Sequence, residues 1–494
     1  MTPPAATDEL PVAVIGAGPV GLAAAAHLRD RGLPFVVLEA GPAVGASVRG
    51  WGHVRTFTPW QYLVDPTAER LLAATGWQRP TTPVPPTGAE LVEHYLEPLA
   101  HAVGGVRLGA RVTAVTRDGY DKARTVGRAE RPLVLRVTER GTGGGERTTE
   151  LRARAVVDAS GTWTRPNPLG ASGLPVPGER EAAAHMVGAL PDVAAQRERF
   201  AGRRTLVVGA GHSAANTLLA LAELAGSAPG TELVWAIRGS DPSRVYGGGD
   251  ADELAARGAL GTRLRALVES GGLRLVTGFA ATEVEPDGDG TVAVVGTAHG
   301  RPERLGGLHA IAVATGFRPD LDVLSEVRLD LDPGLEAPRR LAPLVDPAFH
   351  SCGTVPPHGH RDLEQPEPGL YVVGMKSYGR APTFLVTTGN EQVRSVVAAL
   401  AGDLAAADDV QLVLPESGVC STDAQGRDAG AGGCCGAPGA VEVPAEAHRP
   451  RPDGVPAQGF ATGVAGGGAV GALTLVAARS GTDGGCGTGG CCTS

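Results

Sequence analysis

The apolar positions of residues 11–41 change their period twice within PVAVIGAGPVGLAAAAHLRDRGLPFVVLEAG. VAVI is an unbroken apolar run, which predicts a short strand buried on both faces. LAAAAHLRDRG places small and apolar residues ahead of charge and a closing glycine, which predicts a helix. PFVVLEA predicts a second buried strand, ending at Glu39. Residues 203–240 repeat this order. RRTLVVGAGHSAANTLLALAEL reads as strand, turn and helix, and TELVWAIRGS as a strand ending at Arg238. Two more apolar runs bracket the repeat: ARAVVDASGTWTRPNP (153–168), running into Gly161, and LHAIAVATGFRPDLDVL (308–324), running into Thr315 and Gly316. GLYVVGMKSYGRAPTFLVTTGNEQVRSVVAALAGD (369–403) adds a last strand and a closing helix. Strands alternating with helices predict parallel sheets of the α/β class. Past about residue 415 the periodicity fades into glycine-rich, low-complexity sequence, which predicts a disordered tail.

The two strand–turn–helix units carry a chemistry of their own. Gly16, Gly18 and Gly21 have GxGxxG spacing, with Pro19 opening the helix. The first glycine permits a tight turn, the second lets the backbone approach a pyrophosphate, and the third lets helix and strand pack closely. The helix N-terminus then offers free N–H groups to the phosphates. Glu39, about twenty residues on, can bond the hydroxyls of a ribose. In the second unit Gly209 and Gly211 hold the first two places, His212 and Ser213 follow, and Ala214 replaces the third glycine. Its second strand ends in Arg238 rather than an acid. A cation there can pair with a 2′-phosphate, which favours NADPH over NADH.

Composition narrows the field. A formal charge of -9 weighs against nucleic-acid and anionic-membrane partners. MTPPAATDELP has no basic region followed by an apolar stretch, so no signal peptide is expected and the expected location is cytoplasmic. Six of the seven cysteines, Cys420, Cys434, Cys435, Cys486, Cys491 and Cys492, lie beyond residue 415, and Cys352 stands alone in the body. No CxxC occurs, so a thioredoxin reductase-like dithiol is not expected in the body. Reducing surroundings disfavour disulfide staples. The tail thiols suit capture of a soft metalloid such as As(III), or a redox relay, or are incidental to a linker.

Taken together, VIGAGPVG, DASGT, VVGAGHSA and ATGFRPD resemble the flavin-containing monooxygenases and their relatives over roughly residues 10–405. The late segments GMKSYGRAPTFLVTTGNEQVRSV and LVLPESGVCSTD, with the CC-bearing tail, look like actinobacterial flavoproteins encoded with arsenic-resistance genes. The resemblance implies two Rossmann-like dinucleotide-binding domains, one inserted in the other. Its boundaries are 8–168 for the first part of an FAD domain, 169–309 for an NADPH domain, 310–405 for the second FAD part and 406–494 for the tail. It implies FAD on Gly16, Gly18, Pro19, Gly21, Glu39, Val112, Gly161, Gly374 and Met375, and NADPH on Gly209, Gly211, His212, Ser213 and Arg238, with Thr315 and Gly316 at the hinge. His53, Arg55, Lys376, Tyr378 and Arg380 are the candidates for the flavin front. The implied reaction is oxygenation of a soft nucleophile by O2 through a C4a-(hydro)peroxyflavin, with trivalent arsenicals as the favoured small-molecule substrates. The FxGxxxHxxx(W/F) signature of such monooxygenases is missing, since GLPVPGEREAAAHMVGALP (173–191) has Gly178 and His185 without the leading Phe. An NADPH-dependent reductase using the tail cysteines, a generic N- or S-oxygenase and a non-catalytic metalloid binder therefore stay open, as does a homodimer.

Overall fold

The computed structural model describes residues 9–140, 145–247, 249, 252, 254–350 and 354–412. All seven cysteines, and with them the metalloid ligands expected in the tail, lie outside the described residues.

The first sheet holds β1 (Val12–Ile15), β2 (Phe35–Leu38), β3 (Val106–Arg107), β7 (Ala155–Asp158) and β16 (Leu370–Val372), in the order β16-β7-β1-β2-β3. Every pairing is parallel. The VAVI run is buried throughout because both faces of the sheet are covered: Val12 and Val14 pack on the side of the helix that follows β1, and Ala13 and Ile15 against Val115, Leu133, Leu135 and Val137 on the other side. Helix α1 (Pro19–Asp30) follows β1 and buries every residue from Val20 to Leu28. Its alanines keep it thin, and it packs on α4 (Val386–Leu400), where Gly389 leaves room for the Val20 side chain. An antiparallel three-stranded sheet, β4 (Ala110–Arg117), β5 (Leu133–Arg140) and β6 (Glu146–Ala153), is inserted between β3 and β7.

The second sheet repeats the plan. It holds β8 (Met186–Val187), β9 (Arg204–Val208), β10 (Glu232–Ala236), β11 (Arg274–Val276) and β15 (Ala310–Val313), in the order β11-β10-β9-β15-β8 and again all parallel. Helices α2 (His212–Ser227) and α3 (Ala255–Glu269) belong to this part. An antiparallel sheet of β12 (Phe279–Pro286), β13 (Val292–Ala298) and β14 (Arg301–Leu308) precedes β15. Both parts are thus Rossmann-like, and the second is inserted between β7 and β16 of the first. Because β15 is registered on β9, from Ala310 against Thr205 to Val313 against Val208, the chain crosses back only after Val313, later than residue 310.

The two crossings run side by side. Asn167 N–H donates to Gly316 O at 2.9 Å, the Thr315 hydroxyl to Asn167 O at 2.9 Å, and Arg318 N–H to Arg165 O at 3.0 Å. Trp163 and Phe317 stack beside them, with ring centroids 5.0 Å apart at 29°. No helix among the described residues is long and apolar enough to cross a membrane.

Candidate functional site

In an open parallel sheet a ligand crevice opens at the carboxyl ends of the strands, where the order reverses. Here that point lies between β1 and its neighbours β2 and β7 in one part, and between β9 and its neighbours β10 and β15 in the other. Both points carry the same turn. Gly16 has φ +98° and a Cβ on it would come within 2.9 Å of Ala159 O, past the end of β7. Gly209 has φ +136° and its Cβ would collide with Ala314 O, past the end of β15. A Cβ on Gly21 would collide with Gly16 O, whereas Ala214, at the matching place, is fully buried without such a clash. The middle glycines differ from all of these. Gly18 and Gly211 are the N-caps of α1 and α2, and a Cβ on either meets nothing within 4 Å. The backbone at each N-cap therefore borders open space, where the first N–H groups of the helix can meet an anion. The structure fits a pyrophosphate at both turns.

The strand ends differ in charge. Glu39 follows β2, is 8% exposed, and accepts Ala17 N–H at 2.8 Å and Gly41 N–H at 2.7 Å. Each carboxylate oxygen keeps a second acceptor position. Arg238 follows β10, is exposed, and donates one bond, to Ala171 O at 3.2 Å. Val112 is half-buried in β4, opposite Val137, and joins the apolar cluster that holds Leu38.

Asp158 and Lys376 take a role that no motif announces. Asp158 ends β7, level with Ile15 of β1 and Val372 of β16. Its Oδ1 accepts Ser160 N–H at 3.1 Å and the Ser160 hydroxyl at 2.6 Å, and its Oδ2 meets Lys376 Nζ at 2.6 Å. Lys376 Nζ also reaches Ser160 Oγ at 3.1 Å, and both members of the ion pair have 0% side-chain exposure. Lys376 therefore faces inward and holds the Asp158–Gly161 turn against the turn at Gly374. It does not line an open flavin front. A second buried network fixes that later turn: Gln392 Oε1 accepts Gly374 N–H at 2.7 Å, and Gln392 Nε2 donates to Ser377 Oγ at 3.0 Å and to His358 Nε2 at 3.1 Å. His358 Nδ1 then donates to Pro356 O at 2.9 Å, which fixes the neutral tautomer, and burial lowers the pKa of the ring. Met375 sits half-buried between these two networks.

The other expected front residues are scattered. Tyr378 is fully buried, with its ring 5.2 Å from Phe384 and 5.9 Å from His358. Arg380 is exposed and pairs with Glu336 at 2.9 Å. Arg55 donates to Pro85 O at 2.5 Å and pairs with Glu90 at 3.3 Å. His53 lies 3.9 Å from Asp192, a residue of the inserted part. Phe57, from the same segment, rests 5.0 Å from the His212 ring at the start of α2, and the Arg257 guanidinium lies 5.9 Å from Phe57. Arg257 is itself held by Asp252 at 2.7 Å and 2.8 Å. Burial, then the Arg257 charge, push the His212 pKa down to about 4, against a weaker opposite pull from Asp252. His212 is thus neutral at the mouth of the second turn. No spacing rule could have paired Phe57 with His212, which lie in different domains.

Among known proteins, the family model described as pyridine nucleotide-disulphide oxidoreductase matches residues 10–337. No curated protein matches the chain. Among solved structures, the bacillithiol disulfide reductase Bdr of Bacillus cereus superposes with a TM-score of 0.58 at 19% identity, covering 80% of this chain and 99% of that one. The FAD-bound cadaverine monooxygenase DfoA of Erwinia amylovora gives 0.54 at 15% identity, covering 85% and 99%. A mutant of the flavin monooxygenase of Stenotrophomonas maltophilia gives 0.52 at 21% identity, covering 80% and 98%. At these identities the likeness is one of fold.

Two outcomes follow from these titratable groups. Lys376→Met leaves Asp158 buried and uncompensated, and should cost about 3–5 kcal/mol of stability in urea unfolding, most of it restored in the Asp158→Asn, Lys376→Met double variant; a loss under about 1 kcal/mol would mean the pair is solvated. The His212 ring stays neutral in the folded chain while the unfolded ring takes up a proton near its ordinary pKa of 6.5. Its contribution is therefore whole above pH 6.5 and is lost as pH falls toward about 4. Unfolding midpoints of the wild type should fall more steeply between pH 6.5 and about pH 5 than those of His212→Gln; parallel curves would contradict this.

Proposed function

The chain belongs to the pyridine nucleotide-disulphide oxidoreductase family, and from that premise we propose that it is an FAD-dependent, NADPH-consuming monooxygenase acting on a small soft nucleophile. The observation that carries the reading is the same glycine cradle built twice with opposite charge at the strand end. Glu39 suits the two ribose hydroxyls of a flavin dinucleotide, and Arg238 suits a 2′-phosphate, which NADPH has and NADH lacks.

In this reading Gly16, Gly18, Pro19 and Gly21 hold the FAD pyrophosphate at the start of α1, and Glu39 orients the ribose. Gly161 and Gly374 border that crevice on turns that Asp158, Lys376 and Gln392 make rigid. Gly209, Gly211 and Ser213 hold the NADPH phosphates, with His212 kept neutral under Phe57 so that the turn carries no added charge that titrates near neutrality. Bound flavin supplies two-electron redox chemistry and, when reduced, reactivity toward O2. The protein's share is to fix both nucleotides and to exclude water.

Oxygenation is favoured over disulfide reduction because the sequence has no CxxC pair and only one cysteine, Cys352, before residue 415. A reductase would have to use Cys352 or the tail. Trivalent arsenicals are the narrower substrate class, on the strength of the sequence resemblance alone.

The deciding experiment follows NADPH and O2 in the purified, FAD-loaded full-length protein with thioether, amine and methylarsenite substrates. Matched consumption of both, with an oxygenated product, is the expected result. Rapid NADPH-driven reduction of a disulfide without O2 uptake would establish the reductase instead. Arg238→Ala should raise KM for NADPH about tenfold or more and leave KM for NADH unchanged, the loss of one charge-assisted contact. Equal changes for both nucleotides would remove Arg238 from the 2′-phosphate.

A further inference from the structure

The strands β7 and β16 start side by side, about 10 Å from the carboxyl ends that form the crevice. At these N-terminal ends lies a cavity of about 250 Å³, whose wall includes Arg117, Glu130, Arg131, Arg154, Gly369 and Leu400. Three of the lining residues are arginines and one, the exposed Glu130, is acidic. Such a wall is unusual in a chain that carries a net charge of -9.

The three arginines are not equivalent. Arg117 is a fixed backing: its Nε meets Glu367 at 2.6 Å, and its other nitrogens donate to Arg131 O at 2.6 Å and to Pro368 O. Arg128 shares the same Glu367 at 2.8 Å, so one buried carboxylate serves two guanidinium groups and a positive charge is left over. Arg131 donates its Nε to Asp118 O at 3.2 Å and its guanidinium lies 5.5 Å from the Tyr120 ring centre, and its terminal N–H groups have no hydrogen-bond acceptor among the described residues. Arg154 reaches Leu400 O weakly, at 3.5 Å, and its Nε is buried without any acceptor among the described residues. A buried N–H of this kind normally finds an oxygen from water or ligand.

We propose that this cavity is a binding site for a small oxyanion, a phosphate or carboxylate group, taken by Arg154 and Arg131 against the backing of Arg117. The planar guanidinium fork matches two oxygens of either group. The volume is below the roughly 300–1,000 Å³ of pockets for drug-sized ligands, which limits the occupant to a small anion. The site is separate from both glycine turns, and it rests on no assumption about the reaction.

The test uses the full-length protein saturated with FAD and NADP⁺, so that the glycine turns are filled. Thermal unfolding and calorimetric titration are run with inorganic phosphate and, separately, malonate, each against chloride at matched ionic strength. The wild type is compared with Arg154→Gln, Arg131→Gln and the surface control Arg265→Gln. The expected result is saturable binding of at least one anion to the wild type and the control, weakened tenfold or more in both cavity variants. Tighter phosphate than malonate would assign a phosphoryl ligand, and the reverse a carboxylate. Absence of saturable binding to the wild type, or binding unchanged in Arg131→Gln with its fold intact by circular dichroism, overturns the proposal, whether or not Arg154→Gln folds.

Discussion

A buried ion pair joins the two halves of a split domain. Asp158 and Lys376 stand 218 positions apart in sequence, and the whole inserted domain lies between them. The pair is fully buried, so neither charge has water to fall back on. Burying two charges is costly, and the attraction repays it only where geometry is good and the remaining polar atoms are bonded. Ser160 meets that condition by serving both partners. The bond ties β16 to β7, since Lys376 follows β16 and Asp158 ends β7. The two turns that border the first crevice become rigid by the same act.

Around that tie the chain builds one solution twice. A parallel strand ends, the backbone turns sharply at a glycine pressed against a neighbouring carbonyl, and a helix starts into open space. Gly16 against Ala159 and Gly209 against Ala314 show the same constraint in two unrelated stretches. The third position relaxes it, since Gly21 is sterically forced while Ala214 is accommodated. What distinguishes the copies is the residue past the second strand, a carboxylate in one and a guanidinium in the other.

Much of this was legible in the residues themselves. Unbroken apolar runs, glycine spacing and an acid at a strand end are local signals, and β1, α1, β2, β9, α2 and β10 lie where those signals put them. Side-chain direction was not legible. Lys376, Tyr378 and Arg380 follow β16 in quick succession, yet two point into the interior and one outward. Sequence distance from a strand end cannot decide that, because a tight turn sends neighbouring residues to opposite sides. Ala310–Val313 reads equally well as the last strand of one sheet or the first of another, and only its register with β9 resolves it. The Phe57–His212 contact is a fact of docking between domains and has no local signature.

The paired crossings carry a consequence for how the chain can be cut and rejoined. Asn167 and Gly316, where the inserted domain begins and ends, are already hydrogen-bonded neighbours at 2.9 Å. The insertion thus enters and leaves through a single doorway. Closing the gap takes only a short turn, with a small loop-closure cost. Each part also owns a complete parallel sheet, so neither borrows a strand from the other. The architecture is modular at the level of the gene: a second nucleotide domain can be gained, lost or exchanged at this doorway without stretching the sheet that hosts it.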